Sequence, residues 1–259
     1  MHFIAIGDNC IDYYIETKQK YVGGNALNFA VYAKQLEVES AYLGVIGNDE
    51  NGKILIDALK KEKLDTSLIK EEQGETSITE IILDNGERKF VGFVEGVFAT
   101  FSLSEQEISN IKKFPYVHSA VGGKCESYFQ EIKKSSIISY DFSTEKNVNR
   151  ILEIAQNIDY GFISYSQEDD EIRNILQKMC AHGVKAAVAT LGENGSIAFD
   201  GRKFYKCGIC EAEVVDTLGA GDSFIAGFMV AISRGDYIDE ALKAGAKNAS
   251  KTIQYFGAW

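Results

Sequence analysis

Between Glu213 and Phe228 the chain reads E-V-V-D-T-L-G-A-G-D-S-F-I-A-G-F, and these residue types at this spacing can do a definite kind of chemistry. Gly219 and Gly221 permit a tight backbone turn, and the apolar series Phe224, Ile225, Phe228, Met229 and Ile232 that follows has helical period. A helix that starts here leaves the N–H groups of Ala220, Gly221 and Asp222 to converge on a negative charge, with the Asp222 carboxylate beside them as a candidate base. An anion hole next to a base is what phosphoryl transfer to a hydroxyl requires. The plainer alternative is a capped helix after a turn. Val214 and Val215 predict the end of a buried strand running into this loop.

Other stretches offer groups that such chemistry would use. Gly23-Gly24-Asn25-Ala26-Leu27-Asn28-Phe29-Ala30 couples paired glycines to a helix with Ala26, Ala30, Val31 and Ala33 on its apolar side. Gly23 and Gly24 allow close backbone approach to a small ligand, and Asn28 offers a donor and an acceptor to sugar hydroxyls; a glycine turn and a surface asparagine are the alternative. In Gly7-Asp8-Asn9-Cys10-Ile11-Asp12 the first strand ends in carboxylates that would face a ligand cleft. Gly47-Asn48-Asp49-Glu50-Asn51-Gly52-Lys53-Ile54 mimics a P-loop, but Ile54 lacks the metal-binding hydroxyl and the acidic pair would face phosphates, so it reads as a strand-to-helix turn. The absence of Gly-x-Gly-x-x-Gly argues against a dehydrogenase.

The elements that must position these groups follow from hydrophobic pattern. Apolar runs at 2–6, 41–46, 116–121, 136–141, 160–164 and 185–191 alternate with helical stretches, which predicts a doubly wound, mainly parallel α/β sheet covered on both faces. Residues 11–22 and 76–101 break the alternation, the second with an Asn85-Gly86 hairpin signal, and predict a small β lid over the ligand edge. With 259 residues, 45% of them hydrophobic, and no linker or repeat, one domain over 1–259 is expected.

A net charge of −11 disfavours nucleic acid and anionic membrane partners. An odd count of five cysteines and a strand directly after Met1 point to a soluble protein of the reducing cytoplasm. Cys207 and Cys210 have metal-like spacing but lack a second pair of ligands. Ile81, Ile82, Phe90 and Phe93 would leave an isolated lid with uncovered apolar surface, so a homodimer through the lid is expected.

Asp216 to Phe224, D-T-L-G-A-G-D-S-F, resembles the C-terminal signature of the ribokinase (PfkB) family of sugar kinases, and residues 23–30 resemble its N-terminal Gly-Gly-x-x-x-Asn-x-Ala, in the family's order. The resemblance implies a ribokinase-like fold, ATP and Mg²⁺ as cofactors, and Asp222 as the base with the N–H groups at 219–222 as the anion hole. It implies sugar contacts from the region of Asp8 and Asp12, and a nucleotide loop at Thr190-Leu191-Gly192-Glu193-Asn194-Gly195, with Thr190, Gly192 and Gly195 as contacts. Asn248, in a helix of small residues, would leave room for adenine, although that helix also fits tight packing. Many relatives hold magnesium through Asn-x-x-Glu; here stands Ser166-Gln167-Glu168-Asp169-Asp170-Glu171, where Gln167 with Asp170 or Glu171 would replace it. Some relatives use K⁺ near the anion hole, with the counterpart of Asp216 among its ligands.

Within the family the resemblance is closest to members acting on fructosamines, carried by I-G-D-N-C-I-D, G-G-N-A-L-N-F-A-V-Y, V-E-G-V at 94–97, T-L-G-E-N-G-S-I-A and the terminal K-T-I-Q-Y-F-G-A-W. It implies phosphorylation of the 6-hydroxyl of fructoselysine, with Asp8, Asp12 and Glu95 meeting the substrate ammonium. A kinase for another sugar, Amadori compound or nucleoside is the alternative enzyme; a sugar-binding regulator that has lost its base is the alternative outside catalysis.

Overall fold

Strand residues alternate between two faces, and the two faces of the main sheet carry separate apolar sets. Ile4, Ile6, Leu43, Val117, Ile138, Tyr140 and Ile163 pack to one side, and Phe3, Ala5, Tyr42, Phe162, Val188 and Ala198 to the other. Both sets are buried, as a sheet covered by helices on each face requires. In the computed structural model, which describes residues 2–84 and 87–259, the first half of the chain forms β1 His2–Ile6, β2 Cys10–Tyr14, β3 Gln19–Gly23, α1 Asn25–Gln35, β4 Glu39–Leu43, β5 Val45–Gly47, α2 Glu50–Lys61, β6 Lys70–Glu72, β7 Ile78–Asp84, β8 Glu87–Val94, α3 Glu105–Ile111 and β9 Tyr116–Ala120. The second half forms α4 Phe129–Ile132, β10 Ile137–Asp141, α5 Val148–Ala155, β11 Tyr160–Ser164, α6 Asp170–Ala181, β12 Ala186–Thr190, β13 Ser196–Phe199, β14 Phe204–Cys207, α7 Ala220–Arg234 and α8 Ile238–Thr252.

The main sheet has the order β14-β13-β12-β11-β10-β9-β1-β4, parallel from β4 through β12 and antiparallel at β13 and β14. One face is covered by α1, α2, α7 and α8, the other by α3 to α6. The α/β reading thus holds, and the carboxyl ends of β1, β9, β10, β11 and β12 open on one edge, where such sheets bind ligands. The predicted strand at 41–46 is divided at Gly44: β4 pairs with β1, β5 leaves the main sheet to pair with β6, and a side chain at position 44 would collide with the Tyr42 hydroxyl. The P-loop mimic is a strand-to-helix turn, in which Asp49 caps α2 by accepting from Gly52 N–H at 2.8 Å and from the Thr76 hydroxyl at 2.7 Å.

The lid is a separate sheet of order β3-β2-β7-β8, with β2 and β7 parallel and the two outer pairs antiparallel. The hairpin signal at Asn85-Gly86 lies outside the described residues. The expected lid stretch 76–101 is too long: the strand ends at Val94, residues 96–100 form a 3₁₀ turn, and Phe98 within it stacks on Phe101 just after it at 5.1 Å inside the main core. Aromatic burial there outweighs continued strand pairing.

Gly24, the residue entering α1, has φ of 112°, and a Cβ at that position would lie 2.5 Å from the Asn9 Cα. Both the left-handed backbone and the crossing against the β1–β2 connection demand glycine. Gly24→Ala is expected to lower unfolding stability by roughly 2–4 kcal/mol in urea denaturation; an unchanged midpoint would show that the crossing can relax freely.

Candidate active site

α7 begins without a side-chain cap. Its N-cap, Gly219, has φ of 73°, and a Cβ there would lie 2.5 Å from the Tyr32 hydroxyl. Ser223 N–H closes on Gly219 O at 2.8 Å, so the N–H groups of Gly221 and Asp222 precede the first such helical bond and point out of the helix start. A Cβ added to Gly221 would meet nothing within 4 Å, which leaves an open cradle over these groups. The strand expected at Val214 and Val215 does not form. Both are exposed in irregular backbone, because the N–H groups of Val215 and Asp216 bond to Ile253 O at 2.7 and 3.2 Å, at the end of α8, instead of to a strand.

Asp222 is 7% exposed, and its Oδ2 accepts from Asn28 Nδ2 at 2.8 Å. Burial raises its carboxyl well above the ordinary carboxylate range; the charges of Asp141, Asp8 and Asp12 push the same way, and the Asn28 hydrogen bond opposes them. A buried carboxylate with a raised pKa is a stronger proton acceptor, when ionised, than an ordinary one. Asn28 is not a surface residue, and each end of its amide already holds a partner. It is 4% exposed, and its Oδ1 accepts from Trp259 Nε1 at 2.9 Å.

Asp8 turns its two oxygens to the start of α1, accepting from Asn25 N–H at 2.8 Å and Ala26 N–H at 3.2 Å, and so acts as a cap supplied from another element. Asp12 is 5% exposed and lies against Gly23, where any side chain would strike its carboxylate. The paired glycines therefore serve the approach of Asp12 and Asn9. Asp141, at the carboxyl end of β10, is a site residue that sequence pattern missed, although an acidic residue closing an apolar parallel strand is a usable signal. Its Oδ1 accepts from Ser143 N–H at 2.8 Å and its Oδ2 from Asn25 Nδ2 at 3.3 Å. Burial pushes its pKa up to about 6.

Glu95 follows the lid rather than lying on it, and Lys124 meets its carboxylate at 3.2 Å. A carboxylate already matched to a lysine is a poor partner for a substrate cation.

A cavity of about 760 Å³ runs from Ala220 and Gly221 along the carboxyl ends of β11 and β12 to α8. Thr190, Gly192 and Gly195 border it as expected, and Ser164 adds a hydroxyl 3.4 Å from that of Thr190. Ala246, Ala249 and Ser250 form its α8 wall. Asn248 does not line it: its Nδ2 donates to Ser223 O at 2.9 Å and ties α8 to α7, where Gly227 and Gly245 allow close contact. The cavity lining includes Glu193 and Glu211 but no lysine or arginine, so an anion there depends on backbone donors.

The acidic run after β11 does not converge on this cavity. Glu168 pairs with Arg173 and with Lys206, Asp169 caps α6 through Ile172 N–H at 2.9 Å, and Glu171 accepts from the Tyr165 hydroxyl at 3.1 Å. Gln167 and Asp170 are exposed, and among the described residues no cluster of three or more His, Cys, Asp or Glu could hold a metal. These residues do not fit a protein-built magnesium site. Asp216 is 7% exposed, and its oxygens accept from Leu218 N–H at 3.0 Å and Gly257 N–H at 3.1 Å.

A family model described as pfkB family carbohydrate kinase matches residues 1–137 and 142–259. The chain is 36% identical over 256 residues to the fructoselysine 6-kinase of Escherichia coli (strain K12), covering 98% of each. It is 35% identical over 264 residues to the fructosamine kinase FrlD of Bacillus subtilis (strain 168), covering 100% of this chain and 93% of that one. Arabidopsis thaliana ribokinase, solved with ribose and ATP, shares the fold with a TM-score of 0.85 at 22% identity, over 99% of this chain and 93% of that one.

The raised pKa of Asp141 makes stability depend on pH. Above about pH 6 the group is charged in both states, and only the folded state carries the burial penalty; below 3.8 it is neutral in both. Asn at this position sets an NH₂ against one of the two donors, a loss that does not vary with pH, so the melting temperature of Asp141→Asn relative to the native chain is expected to rise by a few degrees between pH 4 and pH 8, most of it below about pH 6. A gain independent of pH, measured by calorimetry across that range, would assign the effect to packing.

Proposed function

The chain belongs to the pfkB family of carbohydrate kinases, and from that premise we propose that it transfers the γ-phosphoryl group of ATP to the 6-hydroxyl of fructoselysine. It is an ATP-dependent carbohydrate kinase. The observation that carries the reading is Asp222, buried at the uncapped start of α7 beside the open cradle at Gly221.

In this reading the adenine lies against the small residues of α8 and the phosphates extend toward Gly221. Asp222 accepts the proton of the 6-hydroxyl as that oxygen attacks, and the N–H groups of Gly221 and Asp222 hold the charge of the transferring group, since that of Ala220, expected to join them, donates to Thr217 O at 3.3 Å. Magnesium bound with the nucleotide would supply charge neutralisation. The lid excludes water, a competing acceptor.

The fructosamine part of the proposal is supported by relatives named fructoselysine 6-kinase and fructosamine kinase and by charge. Amides meet Asp141 and Asp222, and the charges that act on Asp222 are those of other carboxylates. A sugar bearing a secondary ammonium relieves that repulsion and fructose does not. Asp12 and Asp141, rather than Glu95, are the assigned partners. In a coupled ADP-release assay, fructoselysine is expected to exceed fructose by about ten- to a hundredfold in kcat/KM, and Asp222→Asn to lower kcat by at least about a thousandfold with a smaller change in KM. Equal use of the two sugars would defeat the substrate; normal turnover by the variant would defeat the base.

We also propose a homodimer through the lid. β8 is an edge strand, and Phe90, Val91, Phe93 and Val94 on it are all exposed, with Phe90 at 67% and Phe93 at 60%. Light scattering is expected to give a dimer for the native chain and a monomer for Phe93→Asp; a monomeric native chain at micromolar concentration would reject the pairing. A cytoplasmic location is proposed on the ground that all five cysteines are free thiols. Among the described residues no helix is long and apolar enough to cross a membrane.

A further inference from the structure

The terminal string K-T-I-Q-Y-F-G-A-W has no part in the chemistry derived above, yet its last residues reach the centre of the site. Gly257 N–H bonds to Asp216 Oδ2 at 3.1 Å, and the Tyr32 hydroxyl donates to Ala258 O. Ala258 is 1% exposed and packs where a Cβ on Gly219 would come within 2.9 Å of its own Cβ. Trp259 follows, its indole Nε1 donating to Asn28 Oδ1 at 2.9 Å, while Asn28 Nδ2 donates to Asp222 Oδ2 at 2.8 Å.

The direction of this chain follows from donor inventory. A primary amide has an oxygen at one end and an NH₂ at the other, and a half-turn exchanges them at almost no steric cost. An indole N–H only donates. Facing Asn28, it donates to the amide oxygen, and that bond turns the NH₂ toward Asp222.

We propose that Trp259 is a positioning residue for the base: its indole N–H locks the Asn28 amide in the one orientation that donates to the Asp222 carboxylate. Without the indole donor the amide is free to turn its oxygen toward Asp222, which repels the ionised carboxylate and favours the protonated one. The groups facing Asp222 are Asp8 after β1, Asp12 on β2, Asn28 and Tyr32 on α1, and Asp141 on β10. Of these, Asn28 is the one that favours ionisation. The inference rests on Asp222 being the base and is independent of which sugar is used.

Trp259 is the only tryptophan in the sequence, so its indole N–H gives a single ¹H–¹⁵N resonance that can be followed without substrate. That resonance is expected to exchange slowly with solvent and to shift with pH through an inflection that disappears in Asp222→Asn. Trp259→Phe, which keeps the ring and removes the donor, is expected to lower kcat about tenfold with KM within about twofold, and to move the acid limb of the kcat profile to higher pH. In an Asn28→Ala background the same substitution should add nothing further. Fast exchange of the indole without the inflection, an unmoved acid limb in a folded Trp259→Phe enzyme, or additive effects of the two substitutions would each overturn the proposal. Should fructoselysine fail as substrate, the resonance test still decides the matter, so the two readings fail separately.

Discussion

A buried carboxylate at Asp222, with Asp8, Asp12 and Asp141 close enough to raise its pKa, is the constraint around which this molecule is built. Ionised carboxylates out of water are stabilised only by hydrogen-bond donors or cations, and here the donors are amides. Asp8 takes the first N–H groups of α1, Asp141 takes Ser143 N–H and the Asn25 amide, and Asp222 takes the Asn28 amide. Since Asn25 and Asn28 both stand in the first turn of α1, that helix serves the cluster with its backbone and with its side chains.

The same need for donors explains why α7 starts uncapped. A side chain folded back over its N–H groups would satisfy them internally and remove the anion site. Gly219 makes the left-handed turn, Tyr32 and Ala258 fill the space behind it, and Gly221 leaves the space in front open. Glycines at Gly227 and Gly245 then bring α7 and α8 into close contact, which sets the wall of the cavity relative to the helix start. Position is thus transmitted through packed backbone, and the net charge of −11 offers no long-range attraction for ATP.

Much of this was legible in residue order. Buried parallel strands read as apolar runs, so β1, β9, β10, β11 and β12 fell where the pattern put them, and Thr190, Gly192, Gly195, Gly221 and Asp222 fell at the cavity or beside it. The errors share a cause. Val214 and Val215 are as apolar as strand residues, but their backbone is claimed by Ile253. Asn248 and Glu95 have suitable chemistry, but one is spent on Ser223 and the other on Lys124. A short apolar or polar residue carries no local mark of which distant partner will occupy it.

The sequence by itself determined the class of fold, the glycine-rich helix start and the aspartate proposed as the base, because each is expressed by neighbours in the chain: alternating apolar runs, two glycines flanking an alanine, an aspartate opening a helix. Only the tertiary structure decided which carboxylates share the site and how the base is held. Asn25 reaches Asp141 across 116 positions, Asn28 reaches Asp222 across 194, and Trp259 reaches Asn28 across 231. Hydrogen-bond direction and buried charge depend on such contacts, and they exist only once the sheet has brought its strand ends to one edge.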